Sequence, residues 1–163
     1  MPLRLRQLPE RSQLNELLGD KARVLAWALG QDNTAAAVTA AELAVYQDGH
    51  WCCLGWEKVL RGGWRAEESC LFWETMNEEG SCVLEEPGEL PAIFRERIQA
   101  STVMLVNRDV PGGGVQIIAR RELRTPGRVT WLANATGNAD LTDPETAALV
   151  VEHTDRLRAE YGF

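Results

Sequence analysis

Residues 43–54 read LAVYQDGHWCCL, in which two runs of strand-forming residues flank Asp48 and Gly49. An Asp-Gly pair favours the left-handed backbone angles of a two-residue turn between antiparallel strands. The stretch therefore predicts a β-hairpin. Comparable turn residues lie at 111–114 and at 125–127, and each group separates two further runs of extended character.

Repeated hairpins predict an antiparallel meander of about seven to eight short strands. Parallel strands would need crossover helices, which are mostly missing from the sequence. The run RVLAWAL at residues 23–29 alternates large and small apolar residues and indicates a buried strand. A further hairpin is expected between residues 68–75 and 81–85, with its glycine-containing turn at 76–80.

Three segments have the pattern of helices. Residues 10–19 place leucines at helical spacing and end on a glycine. Residues 91–101 begin with proline and carry their large apolar side chains on one face. Residues 143–161 open with an aspartate suited to an N-cap, followed by a proline. We therefore expect a short N-terminal helix, a mid-chain helix and a C-terminal helix that caps the sheet.

Composition predicts one domain over residues 1–163, with an N-terminal extension and helix over 1–21 and a β-rich body over 22–163. The chain is 45% hydrophobic and 25% charged, as in ordinary globular proteins. Its apolar runs fall short of the roughly 20 residues that cross a bilayer, and its start lacks the apolar core of a signal peptide. We expect a cytoplasmic protein. The net charge of −7 opposes non-specific attraction to nucleic acid or to an anionic membrane, and we expect no nucleic-acid partner and no membrane insertion.

The predicted order of elements resembles the pleckstrin-homology-like (PH-like) barrel, particularly its bacterial versions, in which seven strands precede one capping helix. The segment WEKVLRGGW at 56–64, the RVLAWA strand and the final AEYG also resemble a group of uncharacterised small proteins of high-GC Gram-positive bacteria. The resemblance implies a barrel over residues 22–163, with an inserted helix at 91–101 and a capping helix at 143–161.

Phosphoinositide binding does not follow from the resemblance. Members of the PH group that bind these lipids hold the phosphates with basic residues around the loop between their first two strands. The corresponding loop here is GQDNT, residues 30–34, which contains no positive charge. We therefore expect the fold without that ligand.

The sequence contains no recognisable catalytic, metal-binding or cofactor-binding motif. HExxH, CxxC and GxSxG are all absent. The sequence has four cysteines, Cys52, Cys53, Cys70 and Cys82. They are too few to stabilise a chain of this size through disulfides, and we expect reduced, partly buried thiols. A Cys-His pair involving Cys52 or Cys53 stays open, because such partners need only meet in space. We expect no cofactor and no metal.

Charge is unevenly distributed along the chain. Residues 66–90 contain eight glutamates and no basic residue, whereas arginines dominate residues 95–128. One interpretation is that Arg120, Arg121, Arg124 and Arg128 face an acidic ligand or partner. The other is that acidic and basic strands lie opposite each other and neutralise one another, or are simply solvated.

Tryptophans are concentrated in the middle of the chain, at Trp51, Trp56, Trp64 and Trp73. Strand alternation places Trp73 in the core beside Leu71. Trp56 and Trp64 lie in a stretch of weak periodicity, and we expect them to be partly exposed. Exposed aromatic rings favour peptide-binding grooves and subunit interfaces.

The function predicted from these patterns is a non-enzymatic domain that contacts a protein or peptide, self-association included. Its predicted surface consists of Trp56, Trp64, Arg120, Arg121, Arg124 and Arg128. The alternative is a binder of a small anionic ligand, or an enzyme, that uses the mouth of the barrel.

Overall fold

The computed structural model describes residues 7–19 and 22–162, so residues 1–6, 20 and 21 of the expected N-terminal extension lie outside the described residues. The described part forms three α-helices, α1 (Arg11–Leu18), α2 (Leu90–Ser101) and α3 (Pro144–Tyr161). It also forms ten strands: β1 (Val24–Gly30), β2 (Ala35–Thr39), β3 (Glu42–Gln47), β4 (His50–Gly55), β5 (Arg61–Arg65), β6 (Cys70–Glu74), β7 (Glu79–Glu85), β8 (Thr102–Val110), β9 (Gly113–Arg121) and β10 (Val129–Gly137).

The strands form two antiparallel sheets. The large sheet has the order β4-β3-β2-β1-β7-β6-β5, and the small sheet has the order β10-β9-β8. A mainly β, antiparallel fold with a C-terminal helix is thus confirmed. Closure into a single barrel is not seen in the described residues, because the large sheet ends at β4 and β5 and the last three strands pair only with one another.

The hairpin at Asp48 and Gly49 is confirmed. Both residues have positive φ, 54° and 84°, and β3 and β4 pair through Gln47 and His50 at the turn. The second predicted hairpin also forms, but Gly80 lies in β7 opposite Trp73 rather than in the turn. A Cβ on Gly80 would lie 2.4 Å from the Trp73 indole, so the glycine makes room for that ring.

Strand β5 was not predicted, because its sequence RGGWR has weak periodicity and two glycines. Glycine is required at position 62 of this strand because helix α2 packs against it. A Cβ on Gly62 would lie 2.7 Å from the Phe94 ring of α2 and 2.8 Å from the Phe72 carbonyl oxygen. Glycine therefore lets α2 approach the backbone of this strand.

Helix α2 packs on the inner face of the large sheet, which is defined by Val38, Leu43, Leu71 and Leu84. Trp56 lies at the centre of this core in a short 3-10 turn, Trp56–Lys58. Its ring meets that of Phe94 edge-on at 5.5 Å, and its Nε1 donates to the Thr39 carbonyl oxygen at 3.0 Å. The expectation that Trp56 is partly exposed is wrong, since the side chain is fully buried.

Helix α1 covers part of the opposite, outer face. Leu14 and Leu18 pack there against the residues of β2, β3 and β4 that point outward, among them Tyr46 and Trp51. The Trp51 indole donates to the Pro9 carbonyl oxygen at 2.8 Å, which fixes the start of the helix to β4. The two faces of the β3–β4 hairpin are therefore both apolar.

Helix α3 packs on one face of the small sheet and does not cap the large one. Leu157 lies against Val115 and Ile117 of β9. Asp143 caps the helix as the sequence predicts, because its carboxylate accepts from the Thr146 backbone N–H. The other face of the small sheet contacts the 3-10 turn at Trp56–Lys58.

Arg120 of β9 joins the two sheets. Its Nε donates to the Val59 carbonyl oxygen at 2.8 Å and its Nη2 to that of Leu60 at 3.3 Å. Its Nη1 donates to the Ile98 carbonyl oxygen at 3.2 Å and to Thr102 Oγ1 at 2.5 Å. The residue is only 4% exposed, and burial lowers its pKa. Arg120 is a structural residue, and its expected place on an exposed surface is wrong.

Replacing Arg120 should weaken the whole fold. Arg120→Met leaves buried carbonyl groups on both sides of the sheet junction without a donor, at a cost of about 3 kcal/mol or more in the free energy of unfolding. Urea unfolding followed by circular dichroism measures this loss. Arg121→Met, an exposed neighbour on the same strand, is the matched control and should change stability by less than about 0.5 kcal/mol. Equal effects of the two substitutions would contradict the structural role of Arg120.

Candidate functional site

The large sheet curves so strongly that strands distant in its order approach each other. Gln47 Nε2 at the end of β3 donates to the Ser81 carbonyl oxygen of β7 at 2.8 Å, although β2 and β1 separate these strands in the sheet. Between the β3–β4 hairpin and the β6–β7 hairpin this curvature leaves an open cleft of about 310 Å³. Helix α2 fills another part of the inner face.

We call this feature the β4 cleft. Its floor is apolar and its rim is polar. The floor consists of Leu43, Val45, Leu54 and Trp73; the rim consists of Gln47, Asp48, His50 and Cys52 on one side and Thr75, Glu78 and Glu79 on the other.

Strand register explains the apolar floor. Leu43 is paired with Leu54, and Val45 with Cys52, so these side chains lie on the inner face of the sheet. Trp73 lies across the cleft on β6, with its indole against Gly80. A side chain at position 80 would displace this ring, and the glycine therefore sets the width of the cleft.

The backbone of β4 also reaches the cleft. The Trp51 N–H donates to the Gln13 side chain of α1 at 3.1 Å, and so it points away from β3. Alternate residues along an edge strand share this direction, which places the N–H and C=O of Cys53 on the free edge. Cys53 lines the cleft although its side chain packs toward α1 on the outer face. Among residues 7–19 and 22–162 no strand pairs with this edge of β4, which lies beside the apolar floor.

The charged groups of the rim are acidic. Asp48, Glu78 and Glu79 are exposed carboxylates, and none of the described residues that line the cleft is Arg or Lys. The Thr75 hydroxyl accepts from the Glu78 backbone N–H at 2.9 Å, which fixes the turn that carries the two glutamates. His50 Nδ1 lies 3.3 Å from the Asp48 carbonyl oxygen. The cleft therefore has a negative rim around an apolar floor.

The thiols of Cys52, on the rim, and Cys53, on the outer face, are not arranged for nucleophilic catalysis. Burial, with the nearby Glu42 carboxylate as the second cause, raises the pKa of Cys53 to about 11. A thiol with that pKa is protonated at neutral pH and reacts slowly. Cys52 is exposed on the rim, and the ring of His50 contacts a backbone carbonyl rather than a thiol.

The surface predicted from sequence is divided between separate places. Trp56 and Arg120 are buried, and Trp64 is half-buried against the inner core. Arg121 and Arg128 are exposed at the β9–β10 end of the small sheet, beside an apolar groove lined by Val103, Leu123, Pro126 and Val129. None of the predicted residues lines the β4 cleft.

Arg124 has a structural partner. Its guanidinium forms an ion pair with Glu42, at the start of β3, and also donates to the Leu18 carbonyl oxygen of α1 at 3.4 Å. Glu42 is 9% exposed, and burial raises its pKa while Arg124 opposes that rise. The connection between β9 and β10 is thereby attached to the large sheet.

The glutamate-rich and arginine-rich territories do not face each other across one sheet. The glutamates of residues 66–90 lie mainly around β6 and β7, and Arg61 of β5 forms an ion pair with Glu74 there. The arginines of β9 and its connection to β10 belong to the small sheet. The interpretation in which acidic and basic strands pair and neutralise one another is therefore wrong, whereas the interpretation as solvated charges is not affected by the division into two sheets.

Sequence reasoning missed the cleft, although it carries a signal. In LAVYQDGHWCCL both alternate sets of side chains are largely apolar, so both faces of this hairpin require cover. Helix α1 covers the outer face. Which part of the inner face stays uncovered depends on the curvature of the sheet and on the position of α2, and neither is a local property of the sequence.

Within residues 7–19 and 22–162, no cluster of three or more His, Cys, Asp or Glu side chains is arranged to hold a metal ion. No helix in the same described ranges has the length and apolar character needed to span a membrane. Comparisons with protein-family models, with curated proteins and with solved structures each found no match. The resemblance to PH-like proteins therefore stays a prediction, and function is inferred from the β4 cleft itself.

The Glu42 carboxyl should make stability depend on pH. Because its pKa is higher in the folded protein than the unfolded value of 4.5, its ionisation costs stability as pH rises through 4.5 and up to the folded pKa. Glu42→Gln should therefore raise the unfolding temperature at neutral pH, and the difference should vanish below pH 4.5, where the carboxyl is protonated in both states. Thermal unfolding across this pH range measures the effect.

Arg124→Gln provides the companion measurement. It should destabilise the protein at neutral pH when Glu42 is present, and have a smaller effect in the Glu42→Gln background. A lower unfolding temperature for Glu42→Gln at neutral pH would show that the ion pair outweighs the cost of burial.

Proposed function

We propose that this protein is a non-enzymatic binding module that holds a short segment of a partner protein in the β4 cleft. The observation that carries the proposal is that, in the described part of the chain, no residue covers the apolar floor and no strand pairs with the edge beside it. Apolar side chains of a bound segment can enter such a floor, while its backbone pairs with the edge. A cytoplasmic location is part of the proposal, because four unpaired cysteines suit a reducing compartment.

The acidic rim disfavours the alternative of an anionic small ligand at this site. Its carboxylates would repel such a ligand, and the arginines expected to hold it lie elsewhere. Catalysis is also disfavoured, because the Cys53 thiol lies on the outer face and is protonated at neutral pH, and the histidine of the cleft contacts a backbone carbonyl.

Selection from a random peptide library displayed on phage tests the proposal. Peptides enriched on the wild-type protein should lose at least about tenfold in affinity after N-phenylmaleimide modifies the exposed thiol of Cys52, because the added ring fills the cleft without changing its charge. Cys52→Ser treated with the same reagent is the matched control and should keep its affinity. Failure to enrich any peptide, or enrichment of peptides insensitive to the modification, would contradict the proposal.

Self-association is a second candidate, favoured by a different surface. Leu25 and Trp27, adjacent on the outer face of β1, are each 40% exposed beside the area that α1 covers. Sedimentation equilibrium of the wild type and of Trp27→Glu tests this candidate. A concentration-dependent dimer that the substitution abolishes is expected, whereas a wild-type monomer at high concentration would exclude it.

A further inference from the structure

We infer that the segment bound in the β4 cleft is an extended, basic peptide, with an apolar side chain for the floor and Arg or Lys side chains for the rim. This inference rests on the proposed function, since it names the partner of the same cleft. It combines three properties of the site: the charge of the rim, the tryptophan in the floor and the free edge of β4.

The rim provides negative charge on both sides of the cleft. Asp48 belongs to the β3–β4 hairpin, whereas Glu78 and Glu79 belong to the β6–β7 hairpin. A cationic side chain lying between the hairpins is therefore attracted from both sides. The arginines of β5 are engaged elsewhere: Arg65 lies over the Phe72 ring at 4.3 Å from its centroid, and Arg61 pairs with Glu74 and also attracts Glu79. Among the described residues, the uncompensated charges of the rim are therefore Asp48 and Glu78.

Trp73 adds a contact suited to cations. The residue is half-buried and lines both the β4 cleft and a neighbouring groove that also contains Glu79. Indole rings attract guanidinium and ammonium groups more strongly than the other aromatic side chains do. A basic side chain lying in the cleft would contact the indole face, whereas the register places the Glu79 side chain with Glu74 and Arg61 on the other face of the hairpin.

The strand edge favours an extended backbone. The N–H and C=O of Cys53 can pair with one residue of an added strand. The backbone N–H of Trp51, two residues earlier, already donates to the Gln13 side chain. Pairing over so short an edge supplies little affinity by itself. The side chains of the bound segment must therefore supply most of the affinity, which makes the charge of the rim decisive for the choice of partner.

Two matched sets of synthetic heptapeptides test this inference. Both sets share one extended, alternating design with leucine at the centre; Arg and Lys flank the leucine in one set, and Glu replaces them in the other. Fluorescence anisotropy gives the affinity of each set at low and at high salt. The basic set should bind at least about tenfold more tightly than the acidic set at low salt, and more weakly as salt rises.

Charge-neutral variants locate the effect on the rim. Asp48→Asn with Glu78→Gln removes one negative charge from each side of the cleft, keeps a residue suited to the left-handed φ at position 48, and should weaken binding of the basic set about tenfold. Glu67→Gln with Glu68→Gln removes the same charge from exposed positions outside the cleft and should change affinity by less than about twofold. Circular dichroism checks that both double variants are folded.

Three results would overturn the inference: equal affinity for the two peptide sets, tighter binding of the acidic set, or equal losses in the two double variants. If phage selection still gives peptides whose binding is blocked by modification of Cys52, the proposed function is supported although the inference about the partner's charge fails. If selection gives no such peptides, the proposed function itself fails.

Discussion

The buried guanidinium of Arg120 is the interaction on which the arrangement of the two sheets depends. Among the described residues its hydrogen bonds go to no carboxylate; it donates instead to the backbone carbonyls of Val59, Leu60 and Ile98 and to the Thr102 hydroxyl. These groups belong to the segment before β5, to α2 and to β8. One side chain thus holds the small sheet against the helix that fills the inner face of the large one.

The shape of the candidate site follows from that constraint. Because α2 is fixed against β5, β1 and β2, the part of the inner face beneath the β3–β4 and β6–β7 hairpins remains open. The curvature that brings Gln47 to Ser81 closes the gap between these hairpins into a cleft. The division into two sheets also separates the charged residues. The arginines of β9 belong to the small sheet, and the glutamates of the rim belong to the large one.

Local signals in the sequence predicted the local structure. The Asp48-Gly49 turn and the N-cap at Asp143 act within a few residues, and both form as expected. The division into two sheets, the burial of Trp56 and strand β5 were missed because they depend on distant partners. Gly62, for example, reads as a strand-breaking residue until the Phe94 ring is placed against it. The cleft was missed for the same reason, since its two sides lie about 30 residues apart in the sequence.

The central claim is that the β4 cleft, with Trp73 in its floor, receives a peptide. Nuclear magnetic resonance of the ¹⁵N-labelled tryptophan indoles during titration with a phage-selected peptide tests it most directly. We predict a saturable shift of the Trp73 indole resonance while that of Trp56, buried and bonded to the Thr39 carbonyl oxygen, stays unchanged. A peptide that binds without moving the Trp73 resonance, or that moves the Trp27 resonance instead, would contradict the claim.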